Sequence, residues 1–345
     1  MANYFLNLKT FGRAGGSSAA DAAAYRAGER IRDERTGRTY DYSDRQDVMH
    51  KEIVLPSRFA DDDLAWAQDR ASLWNTAERA ESRSNARVAR EYLVALPVEL
   101  SPPQRLTLVR GFSQELSDRY GFAVDFGIHA PRDFPGSDPR NFHAHLLATT
   151  REATIEGLGA KTTLERSDND RRALGLKPAI HELLHVRERW AAVTNEALRE
   201  AHVAARIDHR TLEAQGIDRE PRPQIPRPAF EMERRGFRNV LAERMRAQYE
   251  ARVAARRERS AGRGNSAAVE GTGGVERAAV DAPVAAVGPA AAPAVKPQSL
   301  EDIRREARED WLRYRQAQAQ ARAQSRGRTE AAPSAAVDRG LGDEQ

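Results

Sequence analysis

The 345 residues contain no cysteine, which excludes a disulfide framework, thiolate metal sites and a cysteine nucleophile. Aromatic residues make up only 6% of the chain, and alanine inflates the 40% hydrophobic share. So few large apolar side chains support one sizeable core but not packing along the whole length. Long apolar runs are missing too. The most apolar-looking stretch, 280–295, carries Asp281 and several prolines, which a membrane helix would not tolerate. The amino end, MANYFLNLKTFGR, lacks a basic start and is interrupted by Lys9, so it does not read as a signal peptide. These absences imply a soluble, cytoplasmic protein without membrane insertion. Nor does one sign of charge dominate: 55 Lys and Arg against 51 Asp and Glu leave +4. That balance permits a polyanionic partner without specifying one.

What is present divides in two, since this length suggests about two domains plus tails. Strand-like runs occur at residues 3–10, 49–55, 91–96, 122–129 and 142–150. Between them lie helical segments: an alanine-rich run over 19–31 capped by Ser17 or Ser18, a patterned stretch over 64–81, and one opening at Ser101-Pro102-Pro103 and running to about 120. The expected fold class is therefore α+β, a five-stranded antiparallel sheet with helices on one face. The last two strands, joined by a short proline-rich loop, should pair antiparallel. Beyond residue 152 the pattern turns to charged helices at 180–202 and 237–257, separated by the extended EPRPQIPRP segment. Residues 260–297 are low in complexity and read as a linker; a mostly polar helix over 300–324 and a disordered tail follow.

Three of the eight histidines cluster around the last strand pair. His143 and His145 flank Ala144, so on a strand both side chains leave the same face. His129 ends the preceding strand, which an antiparallel hairpin brings alongside. Such a trio suits a divalent metal that activates a phosphate or a water, and it equally suits three structural strand histidines. A competing pattern, His181-Glu182-Leu183-Leu184-His185, matches the zinc-protease helix. The extended signature wants glycine and then histidine downstream, where Glu188 and Ala191 stand instead. That segment reads as the solvated side of a packed helix. Tyr25, next to Arg26 in DAAAYRAG, has two readings: packing against the sheet, or a nucleophile whose phenolate a cation and a metal stabilise.

Four segments in order, AAAYRAGERI, YDYSDRQDVMHKEIVLP, WNTAERAESRSNARVAREYLVALP and GIHAPRDFPGSDPRNFHAHLLATTR, closely resemble the MobA/MobL family of plasmid mobilisation relaxases. The resemblance extends over about residues 3–219, through RERWAAVTNEALREA and RIDHRTLEAQGIDREP. It departs where Phe142 replaces the proline of the family's Asn-Pro-His-x-His.

The resemblance implies an HUH-type relaxase core whose five-stranded antiparallel sheet bears the His-x-His pair. Tyr25 would be the nucleophile, and His129, His143 and His145 would hold a divalent ion, Mg2+ or Mn2+. Arg26, Asn85, Arg87, Arg90 and Arg151 are candidates for contacting DNA phosphates, although arginines also simply solvate exposed faces. Glu78 and Glu91 are the candidate auxiliary acids or bases. By this reading 1–155 form the nicking core, 156–258 a helical extension, 259–299 a linker, and 300–345 a helix and disordered tail. The implied partners are single-stranded or supercoiled plasmid DNA at a transfer origin, accessory mobilisation proteins and a type IV coupling protein. Rolling-circle replication initiators share the chemistry, but usually carry the tyrosine after the histidine pair. A catalytically idle DNA-binding module is the reading from another class.

Overall fold

The computed structural model describes residues 2–60, 62, 64–132 and 137–269. The chain forms two compact units, Met1–Arg210 and Thr211–Gln345. In the first, β1 (Leu6–Gly12) leads to α1 (Ala19–Ala27), whose amino end Ser18 caps by accepting from Asp21 N. The helix stops four residues short of expectation because Gly28 takes the left-handed conformation (φ 58°). The freed residues make a ribbon of β2 (Arg30–Arg32) and β3 (Thr39–Asp41).

Next come β4 (Val48–Val54), α2 (Ala65–Gln68), α3 (Arg70–Arg79) and β5 (Arg87–Ala95). The single helix expected over 64–81 is broken at Asp69, whose carboxylate caps α3 by accepting from Ser72 N. Then follow α4 (Pro102–Tyr120), β6 (Phe122–His129), β7 (His143–Thr154), β8 (Gly157–Lys161), α5 (Asp168–Ala173) and α6 (Ala179–Glu200).

All five expected strands are present and antiparallel, in the order β1-β5-β7-β6-β4, with β8 added beside β7. The fold is α+β. The helices, however, do not gather on one face. One core lies under α4 and α6, where Val109, Phe112, Trp190 and Leu198 meet Tyr92, Val124, Phe126 and Leu146. A second lies under α1 and α3, where Ala20, Ala23, Leu73 and Trp74 meet Ala89, Ala123 and Leu147. The cause is legible in β6, which is buried at every position. A strand apolar on both sides must be covered on both sides. The small alanine side chains of α1 let that helix approach the sheet closely.

The second unit contains α7 (Arg227–Arg234) and α8 (Val240–Val269) among its described residues. Gly236, at φ 81°, ends the first, and Asn239 Oδ1 accepts from Ala242 N to open the second. The helix expected over 237–257 thus begins later and continues to Val269, into residues assigned above to a linker. Gly262 and Gly264 in that stretch each cost a helix about 1 kcal/mol relative to alanine. The rest of that linker, the 300–324 helix and the tail lie outside the described residues. Among the described residues, no helix is long and apolar enough to cross a membrane.

Candidate metal and nucleophile site

The register of β6 and β7 sets His129 directly opposite His143 and Gly127 opposite His145. Strand alternation therefore delivers three imidazoles to one face at one end of the sheet. One ring nitrogen from each lies within 4.8 Å of the others. Each histidine also has one nitrogen already committed. His129 Nε2 sits 2.7 Å from Arg26 O, His143 Nδ1 is 2.9 Å from Asn141 O, and His145 Nδ1 is 2.5 Å from Glu91 Oε1. Those acceptors need N–H donors, so the remaining lone pairs are those of the Nε2 atoms of His143 and His145 and of His129 Nδ1, the last of which Arg45 Nη2 approaches at 3.3 Å. Three neutral imidazoles oriented by carbonyls and a carboxylate are a fitting donor set for a divalent ion.

Electrostatics agree. Burial, reinforced by the neighbouring His145 and Arg45, pushes His129 down to about 3. Burial also lowers His143 and His145 from the usual histidine value, so the cluster is neutral at pH 7. Burial would raise the Glu91 carboxyl, but hydrogen bonds and charge from His145 and Arg26 outweigh it and hold it at about 2. Arg26 donates Nε to Glu91 Oε1 at 2.7 Å. A depressed carboxylate stabilises the fold above its ordinary value near 4.5 and loses that contribution as pH falls toward 2. Acid unfolding of Glu91→Gln against wild type should therefore show a stability gap that is widest above pH 4.5 and narrows below it. A gap independent of pH would contradict the ion pair.

The carboxyl end of α1 rests on this face by backbone contact. A Cβ on Gly127 would lie 2.6 Å from Arg26 O and 3.2 Å from His129 Nε2. Gly127→Ala is expected to push α1 off the sheet, costing about 2 kcal/mol and weakening metal uptake. Calorimetry and a metal titration check it; wild-type values in both would refute the close approach.

Tyr25 lies one residue before that contact. Its hydroxyl accepts from Arg132 Nη2 at 3.1 Å, its ring carries the Arg45 guanidinium 4.0 Å above the centroid, and Tyr42 meets it edge-on at 5.3 Å. Arg45 Nη2 also reaches His129 Nδ1 at 3.3 Å. Tyr25, Arg26, Glu91 and the three histidines thus form one connected site. Arg45, Asp47 and Arg132 belong to it as well, and the sequence reading missed them. The available signal was an arginine three residues beyond His129, in the loop that leaves the histidine-bearing strand.

The other expected residues stand elsewhere. Glu78 is buried at the opposite end of α1, bonded to Ala19 N at 2.7 Å and to Arg13 and Arg35. It anchors the helix and is not free to move a proton. Asn85, Arg87, Arg90 and Arg151 line a groove of about 960 Å³ at the far end of the strands. Arg151 is six residues along β7 from His145, about 20 Å away. Arg90 and Arg151 are paired there with Glu165 and Glu81. In the zinc-protease-like segment, Glu182 is occupied by Arg119, Tyr120 and Arg171, so it cannot serve as a base.

An antiparallel sheet with a three-histidine cluster at one end and a tyrosine beside it defines the class. Residues 17–235 match the MobA/MobL family, and the chain belongs to it. It is 36% identical over 256 residues to the mobilization protein MobL of Acidithiobacillus ferridurans, covering 68% of this chain and 65% of that protein. It is 32% identical over 252 residues to a probable mobilization protein MobA of Bifidobacterium longum, covering 64% of this chain and 42% of the other. The match thus spans less than two thirds of each relative's own length. A solved structure titled for the molecular basis of vancomycin resistance transfer in Staphylococcus aureus superposes with a TM-score of 0.50 at 31% identity. It covers 61% of this chain and all of that one.

Proposed function

We propose that this chain cuts and rejoins one strand of plasmid DNA at a transfer origin by tyrosine transesterification, with the machinery carried by residues 1–155. The observation that carries the reading is the direct link between Tyr25 and the histidine cluster through Arg45 and the Arg26 backbone. In the reaction the Tyr25 oxygen attacks a backbone phosphorus. A Tyr–O–P bond forms, the P–O3′ bond breaks, the phenolic proton passes to solvent or a base, and the departing oxygen takes up a proton. The products are a 5′-phosphotyrosine and a free 3′-hydroxyl. Phosphoester energy is retained in the adduct, so rejoining is the reverse step and needs no nucleotide triphosphate.

A Mg2+ or Mn2+ ion held by His129, His143 and His145 would withdraw charge from the non-bridging phosphate oxygens. Glu91 keeps His145 in the required tautomer, and burial keeps all three imidazoles unprotonated. Arg26 is spent on Glu91 and supports the site from behind. The neighbouring name, mobilization protein, favours supercoiled plasmid and its single-stranded origin as substrate, with accessory mobilisation and coupling proteins as partners. The tyrosine's place ahead of the histidines disfavours a replication initiator. The test is incubation with supercoiled plasmids bearing candidate origins, followed by mass spectrometry of the peptide holding Tyr25. Metal-dependent open circles with a nucleotide on Tyr25 are expected; binding without cleavage at any origin would favour the idle module.

A further inference from the structure

We infer that Arg132 is a further catalytic residue of this reaction, and that Asp47 and Arg45 position it and the tyrosine as one unit. The inference rests on the cleavage reading above. Arg132 touches the reacting atom itself: Nη2 donates to the Tyr25 hydroxyl at 3.1 Å, while Nε donates to Asp47 Oδ2 at 2.8 Å. The same carboxylate takes Arg45 Nε at 2.9 Å and Nη2 at 2.5 Å. Arg45 in turn donates Nη1 to the Tyr25 carbonyl at 2.6 Å and covers the ring. One acid therefore aligns two guanidiniums, one on the face of the nucleophile and one on its oxygen.

Burial separates the roles of the two arginines. The Arg45 side chain is 8% exposed and its donors are committed to Asp47, Tyr25 and His129. The Arg132 side chain is 42% exposed and donates to the phenolic oxygen. Asp47 serves two guanidiniums, so a guanidinium stands beside the phenolic oxygen where a phosphodiester must arrive, with Asp44 on the lining of the same pocket. A planar fork there can hold a non-bridging oxygen while it holds the attacking oxygen, which fixes their approach and takes up transition-state charge. Lysine supplies the charge without the fork. Burial would raise the Asp47 carboxyl, but hydrogen bonds from Arg45 and Arg132 hold it well below the usual range, so the unit stays ionised across the working pH.

The experiment follows adduct formation on a single-stranded origin oligonucleotide by the full chain, from pH 6 to 10, with oligonucleotide affinity and melting temperature measured alongside. Arg132→Ala is expected to slow adduct formation on the order of 100-fold at saturating DNA, with affinity within about threefold of wild type. Its rate should rise only at higher pH, because the cation that favoured the ionised phenol is gone. Arg132→Lys should recover part of the rate, and added guanidinium ion should partly rescue Arg132→Ala. Asp47→Asn should show a smaller loss, on the order of tenfold, with the same direction of pH shift. An Arg132→Ala variant with wild-type rate and pH profile, or one whose loss lies wholly in DNA affinity, overturns the assignment. Wild-type protein that forms no Tyr25 adduct would remove the cleavage reading and this inference with it.

Discussion

Tyr25→Phe is expected to abolish strand cleavage and the covalent adduct, a loss on the order of 10³-fold or more, while DNA affinity changes little. Only one hydroxyl is removed, and the ring keeps its contacts with Arg45 and Tyr42. Substitution by a neighbouring tyrosine is disfavoured. Burial pushes Tyr4 up to about 12, and Tyr42 is likewise pushed up to about 12 by burial and by its hydrogen bond to Asp21. Both phenols are poor nucleophiles at neutral pH. His143→Ala should weaken metal dependence and cleavage together, since one of the three converging nitrogens is lost. Gel-shift affinity and denaturing-gel adduct assays on the same oligonucleotide separate the two effects. An adduct on Tyr4, Tyr40 or Tyr42 would move the nucleophile without removing the chemistry.

The largest loss of stability is expected from Asp125→Ala. This carboxylate is buried between β6 and α3, where Arg70 grips it with Nε at 2.8 Å and Nη2 at 2.9 Å, and Trp74 Nε1 donates at 2.8 Å. Removing it strands a largely buried guanidinium and a fully buried indole N–H. A buried charge deprived of its partner costs about 3–5 kcal/mol, a drop in melting temperature on the order of 10 °C for a unit of this size. Asp125→Asn retains an acceptor and should lose less. Chemical denaturation checks both; a loss under about 1 kcal/mol for the alanine variant would show that Arg70 is satisfied by Glu29 alone.

Much of this was legible in the sequence, and the reasons differ by element. The five strands show themselves through apolar alternation and proline stops, and the His-x-His spacing carries its own geometry because strand side chains alternate. The ribbon at 30–41 does not show itself: three-residue strands carry no period, and only the left-handed Gly28 separates them from the alanine helix. The two-sided helix cover was missed although FAVDFGIH holds apolar residues on both faces, because alanine and glycine count little in a hydrophobic pattern. Arg132 and its partners were missed for another reason. Asp47 and Tyr25 lie 85 and 107 residues before it, and the loops that bring them together follow no repeat.

The nine-residue helix that carries the tyrosine is fastened at both ends: Glu78 holds Ala19 N at one, and the glycine gap at 127 seats the backbone at the other. A helix tied at both ends in that way is held as a fixed mount for the side chains it carries. As the proposed nucleophile, Tyr25 would then stay in place while the DNA moves. Under the proposed cleavage, the 5′ side would be held on that fastened helix, and only the 3′ end would be left to diffuse. Release or resealing would then depend on how long that loose end dwells nearby, so strand retention would be the quantity that partitions the two fates.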